Sequence, residues 1–418
     1  MKKIVILSLL MILLFVSCNN MQENSGDVEY DPQQTDLPQV QQLPVFPPPA
    51  IPPTAVQPQV VPLPDPEPLS FADYWLAQLT VEEKIGQLIM PRLPWRTTDI
   101  DAIEPWLEAI PFGGFILFGD NIETIAQVQA LTEGLQSQAR LPLLISIDEE
   151  GGRVSRAGRL FDGGPTQAAF DIGGIGDPQR AYYAGRINAE RLVSLGINMN
   201  FAPVADIWSN PANAVIGTRA FGHTPDIASP AVAATVQGLQ DNGVFATLKH
   251  FPGHGDTYED SHYSLAFHNH GIDRFWEMEA LPFISGIEAG AAAVMTGHIS
   301  TPQVGGHTAL LPWMESWIES GNLPATFSDF WLQEILRGQL GFEGLIITDG
   351  LEMRALTDHF TCGQIALGAF LAGADILLIP ANPVEAFNAL LEAYHAGVFD
   401  RERLNASVRR ILELKENL

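Results

Sequence analysis

The chain has 418 residues, a formal net charge of −27 and 46% hydrophobic residues. Nucleic acids and anionic lipids attract clustered Lys and Arg, so this acidic balance argues against both as binding partners. The length could hold two or three average domains, but a single α/β barrel of about 250 residues or more would also account for it.

The first residues are typical of a signal peptide. Lys2 and Lys3 precede an apolar run at 4–16, which is short for a transmembrane helix. Ser17 and Cys18 follow, and a small residue directly before Cys resembles the bacterial lipobox, in which the Cys is acylated. We therefore predict a signal peptide at 1–17 and a lipid anchor on Cys18 that holds the protein at a membrane outside the cytoplasm, in the periplasm or on the cell surface. An ordinary signal peptide or a short anchor is the alternative.

Residues 18–69 have the composition of a tether. The segment is rich in Pro, Gln and Val and shows neither a helical nor a strand period. Because proline fixes φ and removes a backbone donor, an extended linker is expected here. The folded domain is predicted at 70–418. Cys18 and Cys362 are the two cysteines of the sequence, so acylation of the first leaves no disulfide.

Beyond residue 70, short apolar runs alternate with longer amphipathic ones. The predicted strands are 86–90, 114–117, 143–147, 198–202, 246–248, 293–296, 345–348 and 376–379. Helices are predicted between them, for example at 122–138, 178–195, 230–242, 275–289 and 330–339, and two more within 384–418. Continuous apolar runs indicate strands that are buried on both faces. About eight such units favour a single closed (β/α)8 barrel over an open sheet.

Polar residues follow several of these runs: Asp148, Asp206, Lys249-His250, His298 and Asp349. In a (β/α)8 barrel the carboxyl ends of all strands open on one face, so these side chains would converge. The alternative is that loops are polar in any case, which accounts for any one of them but poorly for the whole set.

The segment KHFPGHGDTYEDSH at 249–262 contains three His and several carboxylates in a loop that Pro and Gly keep from being helical. A metal site, an acid/base site in which Asp260 orients His262, and a solvated loop all fit this pattern. A second segment, GLIITDGLEM at 344–353, delivers Asp349 at the end of an apolar strand. Such a carboxylate suits the nucleophile of a retaining glycosidase, or else the N-cap of the next helix.

These two segments resemble glycoside hydrolase family 3, and more narrowly its β-N-acetylglucosaminidase branch. Other segments agree in order and spacing: LTVEEKIGQLIM (79–90), GGFILFGDNI (113–122), ISIDEEGGRVSR (145–156), GINMNFAPVADI (196–207), TRAFG (218–222) and MTGHIS (295–300). The resemblance covers 71–418 and implies the barrel as well. It departs at Ala266, where the branch often has proline, and at Gly350, where Asp or Ala is commoner.

The resemblance implies a role for each matching residue. Asp349 would be the nucleophile, and His262, assisted by Asp260, the acid/base; Asp148, Arg219, Lys249 and His250 would bind the sugar. No metal and no cofactor are implied. The expected reaction is retaining, exo-acting release of terminal β-linked GlcNAc from peptidoglycan fragments or related glycans, by a monomer. We expect Glu149 and Glu150 to have ordinary roles at a loop or helix start, and His254, Asp256 and His298 to support the loop or line the pocket.

Two alternatives stay open. A β-glucosidase or β-xylosidase of the same family usually takes its acid/base carboxylate from elsewhere than the DSH triplet at 260–262. A surface lipoprotein that only binds glycan would have no need to keep Asp349, Asp260 and His262 together.

Overall fold

The computed structural model describes residues 69–93 and 103–418. The predictions of a signal peptide, an acylated Cys18 and a tether therefore concern residues outside the described part of the chain. Within the described ranges, no helix combines the length and apolar character that a membrane crossing requires.

The centre of the fold is a curled parallel sheet. The strands of the described ranges are β1 Ile89–Met90, β2 Gly114–Leu117, β3 Leu144–Ile147, β4 Met199–Asn200, β5 Phe245–Phe251, β6 Ala266–Phe267, β7 Ala293–Thr296, β8 Ile299–Ser300, β9 Leu345–Thr348 and β10 Leu377–Leu378. Every residue of β2, β3, β7 and β9 is buried. Both faces of these strands are covered, as their continuous apolar sequence predicts.

Six of these strands form one parallel sheet in the order β2-β3-β4-β5-β7-β9, and β1 pairs with β10, also in parallel. A parallel bridge joins Arg92, just after β1, to Ile116 in β2, and another joins Ile347 in β9 to Ile376, just before β10. A separate short pair is formed by β6 and β8.

Helices connect the strands. They are α1 Phe71–Gln78, α2 Val81–Gln87, α3 Glu104–Ala109, α4 Ile125–Gln138, α5 Ala169–Ile175, α6 Pro178–Ser194, α7 Pro225–Gln240, α8 Ile272–Arg274, α9 Ala280–Glu288, α10 Met314–Glu319, α11 Arg354–Thr357, α12 Cys362–Ala372, α13 Pro383–His395 and α14 Arg401–Lys415. The segments Phe275–Glu279 and Phe330–Gln339 are π-helical. Buried faces of these helices, such as Leu131 and Leu135 of α4, join the strands in one apolar core.

Several element boundaries differ from the prediction. The strand expected at 86–90 is shortened to β1 because Val81–Gln87 is helical. Thr80 caps this helix: its hydroxyl accepts the Glu83 N–H at 3.2 Å, and the Glu83 carboxylate accepts the Thr80 N–H at 2.8 Å. This capping box outweighs the apolar run that follows it.

The helix expected at 230–242 begins earlier, at Pro225, since proline fits the first turn of a helix and Pro230 is accommodated inside it.

The connections place the carboxyl ends of the strands at one edge of the sheet. Asp148 follows β3, Asp349 follows β9, and Lys249 and His250 lie near the carboxyl end of β5. The sheet therefore brings together residues that lie as far as two hundred positions apart in the sequence.

Candidate active site

A cavity of about 220 Å³ opens at the carboxyl ends of the strands. Six of the seven residues predicted for the site line it: Asp148, Arg219, Lys249, His250, His262 and Asp349. The seventh, Asp260, is in contact with His262. Pockets that enclose drug-sized ligands measure roughly 300–1,000 Å³, so this cavity suits a ligand as small as one sugar ring. Apolar side chains, among them Phe118, Phe201 and Met295, complete its wall.

Two cations and two carboxylates form an ion-pair network along one side of the cavity. Nζ of Lys249 lies 2.6 Å from Asp148 and 2.7 Å from Glu150. Arg219 contacts the same Glu150 through Nε at 2.9 Å and Nη2 at 2.8 Å. The arrangement is bidentate, which fixes the guanidinium plane as well as its position.

The network keeps Glu150 and Lys249 charged. Burial opposes the ionisation of Glu150, but Arg219 and Lys249 outweigh it and hold the pKa of this carboxyl far below its usual range. Burial likewise disfavours the Lys249 ammonium, and Asp148 and Glu150 more than offset this, so the pKa of Lys249 is raised. The removal of one partner from such a buried pair typically costs about 3–5 kcal/mol. The cavity thus presents fixed charges to whatever binds there.

A buried carboxylate orients His250. Nδ1 of His250 lies 2.7 Å from Oδ2 of Asp206, whose Oδ1 accepts the backbone N–H groups of His250 at 3.2 Å and His254 at 2.6 Å. Burial would raise the pKa of Asp206, but the adjacent His250 and His254 lower it overall. Nε2 of His250 lies 3.3 Å from Nη2 of Arg219. Asp206 therefore fixes the ring of a residue that lines the cavity.

Asp349, the predicted nucleophile, is held rigidly at the end of β9. Its N–H donates to the Thr296 carbonyl at 2.9 Å, and its Oδ1 accepts the Gly350 N–H at 2.8 Å. Burial would raise the pKa of this carboxyl, but the imidazoles of His250 and His298 and the Gly350 N–H lower it overall. The alternative interpretation as a helix N-cap is wrong, because the next helix, α11, begins five residues later with Met353 at its N-cap.

Two further histidines are buried behind the cavity. Nε2 of His298 lies 3.0 Å from the Gly350 carbonyl and its Nδ1 lies 2.7 Å from Thr326, so this ring supports the loop that carries Asp349. His254 contacts Thr257 at 2.7 Å and Ser261 at 3.2 Å. Burial, reinforced by the charge of His250, lowers the pKa of His254 to about 4, so its ring is neutral at pH 7. Both residues support loops, as the sequence predicts.

Asp260 and His262 form a pair on the loop between β5 and β6. Oδ1 of Asp260 lies 2.8 Å from Nδ1 of His262 and accepts the His262 backbone N–H at 3.0 Å. The His262 carbonyl in turn accepts the Arg354 N–H at 3.3 Å, which ties the loop to the segment that follows Asp349. The His262 side chain is 57% exposed, so its ring faces both the cavity and solvent.

The roles of Glu150 and Arg156 were not predicted from the sequence. Glu150 is an internal part of the ion-pair network and lines the cavity, whereas we expected an ordinary loop residue. Arg156 also lines the cavity, and its Nε is buried without a hydrogen-bond partner among the described residues. Glu149 does have the expected structural role: its carboxylate accepts the N–H groups of Arg156 and Ala157 at 2.8 and 2.7 Å. The signal for Arg156 was its position in the segment 145–156, close after Asp148.

Metal ligands do not converge in the described part of the chain: no three His, Cys, Asp or Glu side chains there lie close enough together to hold an ion. Asp148 and Glu150 are paired with Lys249 and Arg219. The two imidazoles that line the cavity, His250 and His262, are each paired with an aspartate. An ionised carboxylate and a carboxylate-bound imidazole that share one small polar cavity are the groups required for nucleophilic and acid/base chemistry. Such a site at the carboxyl ends of parallel strands is of the class found in glycoside hydrolases.

Comparisons with known proteins agree with this class. The model of the family described as "Glycosyl hydrolase family 3 N terminal domain" matches residues 80–414. The chain belongs to glycosyl hydrolase family 3, which confirms the resemblance found in the sequence. It is 37% identical over 328 residues to a "Beta-hexosaminidase A" of Pseudoalteromonas piscicida, a match that covers 73% of this chain and 53% of the relative.

Two further relatives are similar over a large part of this chain. A "Beta-hexosaminidase" of Xanthomonas axonopodis pv. citri is 36% identical over 290 residues, which covers 68% of this chain and 80% of the relative. The solved structure of a family 3 β-N-acetylglucosaminidase from Paenibacillus sp. str. FPU-7 superposes with a TM-score of 0.74 at 39% identity. That superposition covers 81% of this chain and 62% of the Paenibacillus chain. The chain thus spans about half of the first relative and about three fifths of the solved one.

Proposed function

We propose that this chain is a retaining, exo-acting β-N-acetylhexosaminidase that releases terminal β-linked GlcNAc from peptidoglycan fragments or related glycans. The observation that carries the proposal is the convergence of Asp349 and the Asp260–His262 pair on a cavity the size of one sugar ring. The names of the relatives from Pseudoalteromonas and Paenibacillus support hexosamine as the sugar.

In the first step, the carboxylate of Asp349 attacks the anomeric carbon and the bond to the leaving oxygen breaks. The lowered pKa of Asp349 supports this role, because only the ionised form is a nucleophile. His262 gives a proton to the leaving oxygen. Its Nδ1 is engaged by Asp260, so Nε2 is the nitrogen left for the transfer.

In the second step, His262, now neutral, removes a proton from water. The resulting hydroxide attacks the anomeric carbon and frees Asp349, so the sugar leaves with its original anomeric configuration. The exposure of the His262 side chain supports this step, since water has to reach the ring. Asp260 stabilises the imidazolium that forms in each cycle, which is the usual function of a carboxylate hydrogen-bonded to a catalytic histidine.

The ion-pair network and Arg156 are proposed to bind the sugar. Asp148, Lys249 and Arg219 have charged atoms at the cavity wall that can accept or donate charge-assisted hydrogen bonds to hydroxyl groups. Because Glu150 and Asp206 hold Arg219 and His250 in place, these groups need no rearrangement when the sugar binds. The buried, unpartnered Nε of Arg156 supports a further donor to the ligand.

Hydrolysis of aryl glycosides tests the assignment. We expect the specificity constant for an aryl β-GlcNAc to exceed that for the matched β-glucoside and β-xyloside, and to be unchanged by EDTA. Comparable constants for the three sugars would favour a β-glucosidase or β-xylosidase. A chain that binds GlcNAc oligosaccharides without hydrolysing any of them would instead be a glycan-binding protein, and loss of activity in EDTA would restore the metal-site hypothesis.

The same proposal includes a closed (β/α)8 barrel. The parallel pairing of β1 with β10 supports it, as do the bridges Arg92–Ile116 and Ile347–Ile376 that connect this pair to both edges of the six-stranded sheet. Eight parallel strands would then surround the core, with the cavity at their carboxyl ends.

Acylation of Cys18 is proposed to anchor a monomeric enzyme outside the cytoplasm. The support is the basic and apolar start of the sequence followed by Ser17-Cys18. Metabolic labelling with a radioactive fatty acid should mark the full chain, and Cys18→Ala should abolish the label and move the protein to the soluble fraction. Cys362→Ala is the matched control and should keep both label and membrane association. Membrane association of Cys18→Ala equal to that of the parent would contradict the anchor.

A further inference from the structure

The loop between β5 and β6 carries Asp260 and His262, and its middle has few contacts with the rest of the fold. Tyr258 and Tyr263, on either side of the pair, are 71% and 68% exposed. The Ser261 hydroxyl is hydrogen-bonded to His254, and the His262 carbonyl accepts the Arg354 N–H. The position of the His262 ring therefore depends on how the two arms of the loop are held.

The carboxylate of Asp256 joins the two arms of the loop, which are the segments before and after the Asp260–His262 pair. Oδ2 of Asp256, six residues before His262, lies 2.5 Å from Nε2 of His270, eight residues after it. Oδ1 of Asp256 accepts the Ser209 hydroxyl at 2.9 Å, which adds the segment that follows β4. Asp256 thus closes the loop at its base and attaches it to a neighbouring strand connection.

Arg274 attaches this base to a helix. Its Nη2 lies 3.4 Å from Oδ1 of Asp256 and 3.3 Å from Oε1 of Glu279. Glu279 is only 3% exposed and packs directly on the loop: a Cβ at Gly253 would lie 2.7 Å from Cγ of Glu279. Arg274 belongs to the helical segment 272–288, as does Glu279. Its guanidinium therefore links this segment to the loop.

The bridge is ionic on the loop side. Burial would raise the pKa of Asp256, but hydrogen bonds from Ser209 and His270 and the charge of Arg274 outweigh it, so the pKa is lowered and the carboxylate is charged at neutral pH. The Asp256 and Arg274 side chains are 18% and 29% exposed. Such partly buried pairs are less screened by solvent than exposed ones, which contribute about 0–1 kcal/mol.

We propose that Arg274, acting through Asp256, is a positioning residue for His262: it holds the base of the loop so that the imidazole meets the leaving oxygen. The inference rests on the proposed function. A displacement of about 1 Å in an acid/base group can cost about 10²-fold in rate. The rate falls in the step that needs the proton, so the effect of a misplaced His262 depends on the leaving group.

Two substrates separate positioning from folding. We expect Arg274→Ala to lower kcat/KM for a GlcNAc disaccharide by about 10- to 100-fold. For the dinitrophenyl β-GlcNAc, whose leaving group departs without a proton, the first step should change less than about threefold. Asp256→Asn, which keeps the volume of the side chain, should show the same dependence, and Arg274→Lys should recover part of the loss because it retains the charge.

Arg410→Ala is the matched control. Arg410 is 30% exposed and lies 3.1 Å from Asp375, similar to the exposure of Arg274 and its distance from Asp256. It belongs to α14 and does not line the cavity. Its removal should affect both substrates equally or not at all. Equal losses on both substrates in Arg274→Ala and Asp256→Asn, or no loss on either, would overturn the inference. A parent protein inactive on both substrates would instead contradict the proposed function.

Discussion

Asp349 has the surroundings of a carboxylate that must stay ionised and immobile. It is fixed by the Gly350 N–H, and two imidazoles lower its pKa. Asp349→Asn keeps the shape of the side chain but removes the nucleophile of the proposed mechanism. We expect kcat/KM to fall by at least about 10³-fold on every substrate, whatever the leaving group.

Asp358→Asn is the control for this prediction. Asp358 is an exposed carboxylate nine residues further along the chain, in an ion pair with Arg354 at 3.0 Å. It should change kcat/KM by less than about twofold, as exposed pairs contribute little. Residual activity of Asp349→Asn within tenfold of the parent would mean that another group is the nucleophile.

His262 should behave differently from Asp349, because the need for a proton depends on the leaving group. General acid catalysis is typically worth about 10²–10⁴-fold. His262→Ala should lose this factor on a disaccharide and keep the first step on a dinitrophenyl glycoside. Its second step lacks the base, so the glycosyl-enzyme should accumulate on Asp349 and appear in a mass spectrum as one added sugar.

Asp260→Ala should show the same dependence on the leaving group with smaller losses. Asp260 lies 2.8 Å from the imidazole and, in the proposed mechanism, transfers no proton to the substrate. His359→Ala, at an exposed histidine in edge-to-face contact with Trp317, is the control and should resemble the parent. If His262→Ala lost the same factor on all leaving groups, His262 would be structural and the acid would have to be another residue.

Glu150 illustrates which site residues the sequence could not reveal. It stands in the run Asp148-Glu149-Glu150, where nothing local distinguishes the three acids. Its partners Arg219 and Lys249 lie 69 and 99 positions further along, so only the fold defines the network. By contrast, Asp349 stands alone after a buried strand and His262 within a recognisable motif, and both could be placed at the cavity from sequence.

At the scale of elements, continuous apolar runs predicted several strands well. The strands at 114–117, 293–296 and 345–348 were predicted residue for residue. Helix starts were harder, because a cap such as Thr80 or an N-terminal proline such as Pro225 decides them locally. The burial of charged side chains on helices was not predicted, because it depends on the surface against which each helix packs.

Lys415, at the end of α14, is such a charge. It is 1% exposed, and its ammonium donates to the Gln87 side chain at 2.7 Å. Burial lowers its pKa to about 7, against an ordinary value of 10.5. Between these two values the unfolded chain binds a proton that the folded protein does not, so the free energy of unfolding rises with pH, by up to about 1.4 kcal/mol per pH unit.

The chemical denaturation of Lys415→Met should isolate this contribution. Between pH 7 and pH 9 the parent should gain stability relative to the variant, because methionine fills a similar volume and has no proton to lose. Below pH 7 the parent retains the full cost of the buried charge, so the difference between the two proteins should be constant there. A difference that does not change from pH 6 to pH 9 would mean that the ammonium titrates near its ordinary pKa.

At the scale of the whole molecule, the order of buried strands predicted an α/β fold with a parallel sheet, and the pairings observed agree with that. The length of each strand was less predictable, since β4 and β10 are reduced to two paired residues each. Beyond the short pairing of β4 with β5, a single parallel bridge joins Val204 to Lys249. Which residues pair at a strand end depends on the neighbouring strand, and an apolar run by itself does not specify that neighbour.

The folded domain is predicted to begin at residue 70. Ser70 caps α1, with its hydroxyl accepting the Asp73 N–H at 3.1 Å, and α1 packs on α14, where Arg409 lies 2.7 Å from Asp73. A chain of residues 70–418 keeps this cap and should equal the full chain in Tm and in kcat/KM on an aryl β-GlcNAc.

A chain of residues 80–418 is the control for that truncation. It retains Thr80, the cap of α2, but loses the buried Ala72, Leu76 and Leu79 and uncovers the face of α14 against which α1 packs. Loss of a buried Leu contact costs about 2–5 kcal/mol, so its Tm should fall by several degrees while the cavity residues stay unchanged. If residues 70–418 alone proved inactive or failed to fold, the Pro-rich segment would be part of the folded domain and not a tether. Equal stability of the two truncated chains would show that α1 contributes nothing to the fold.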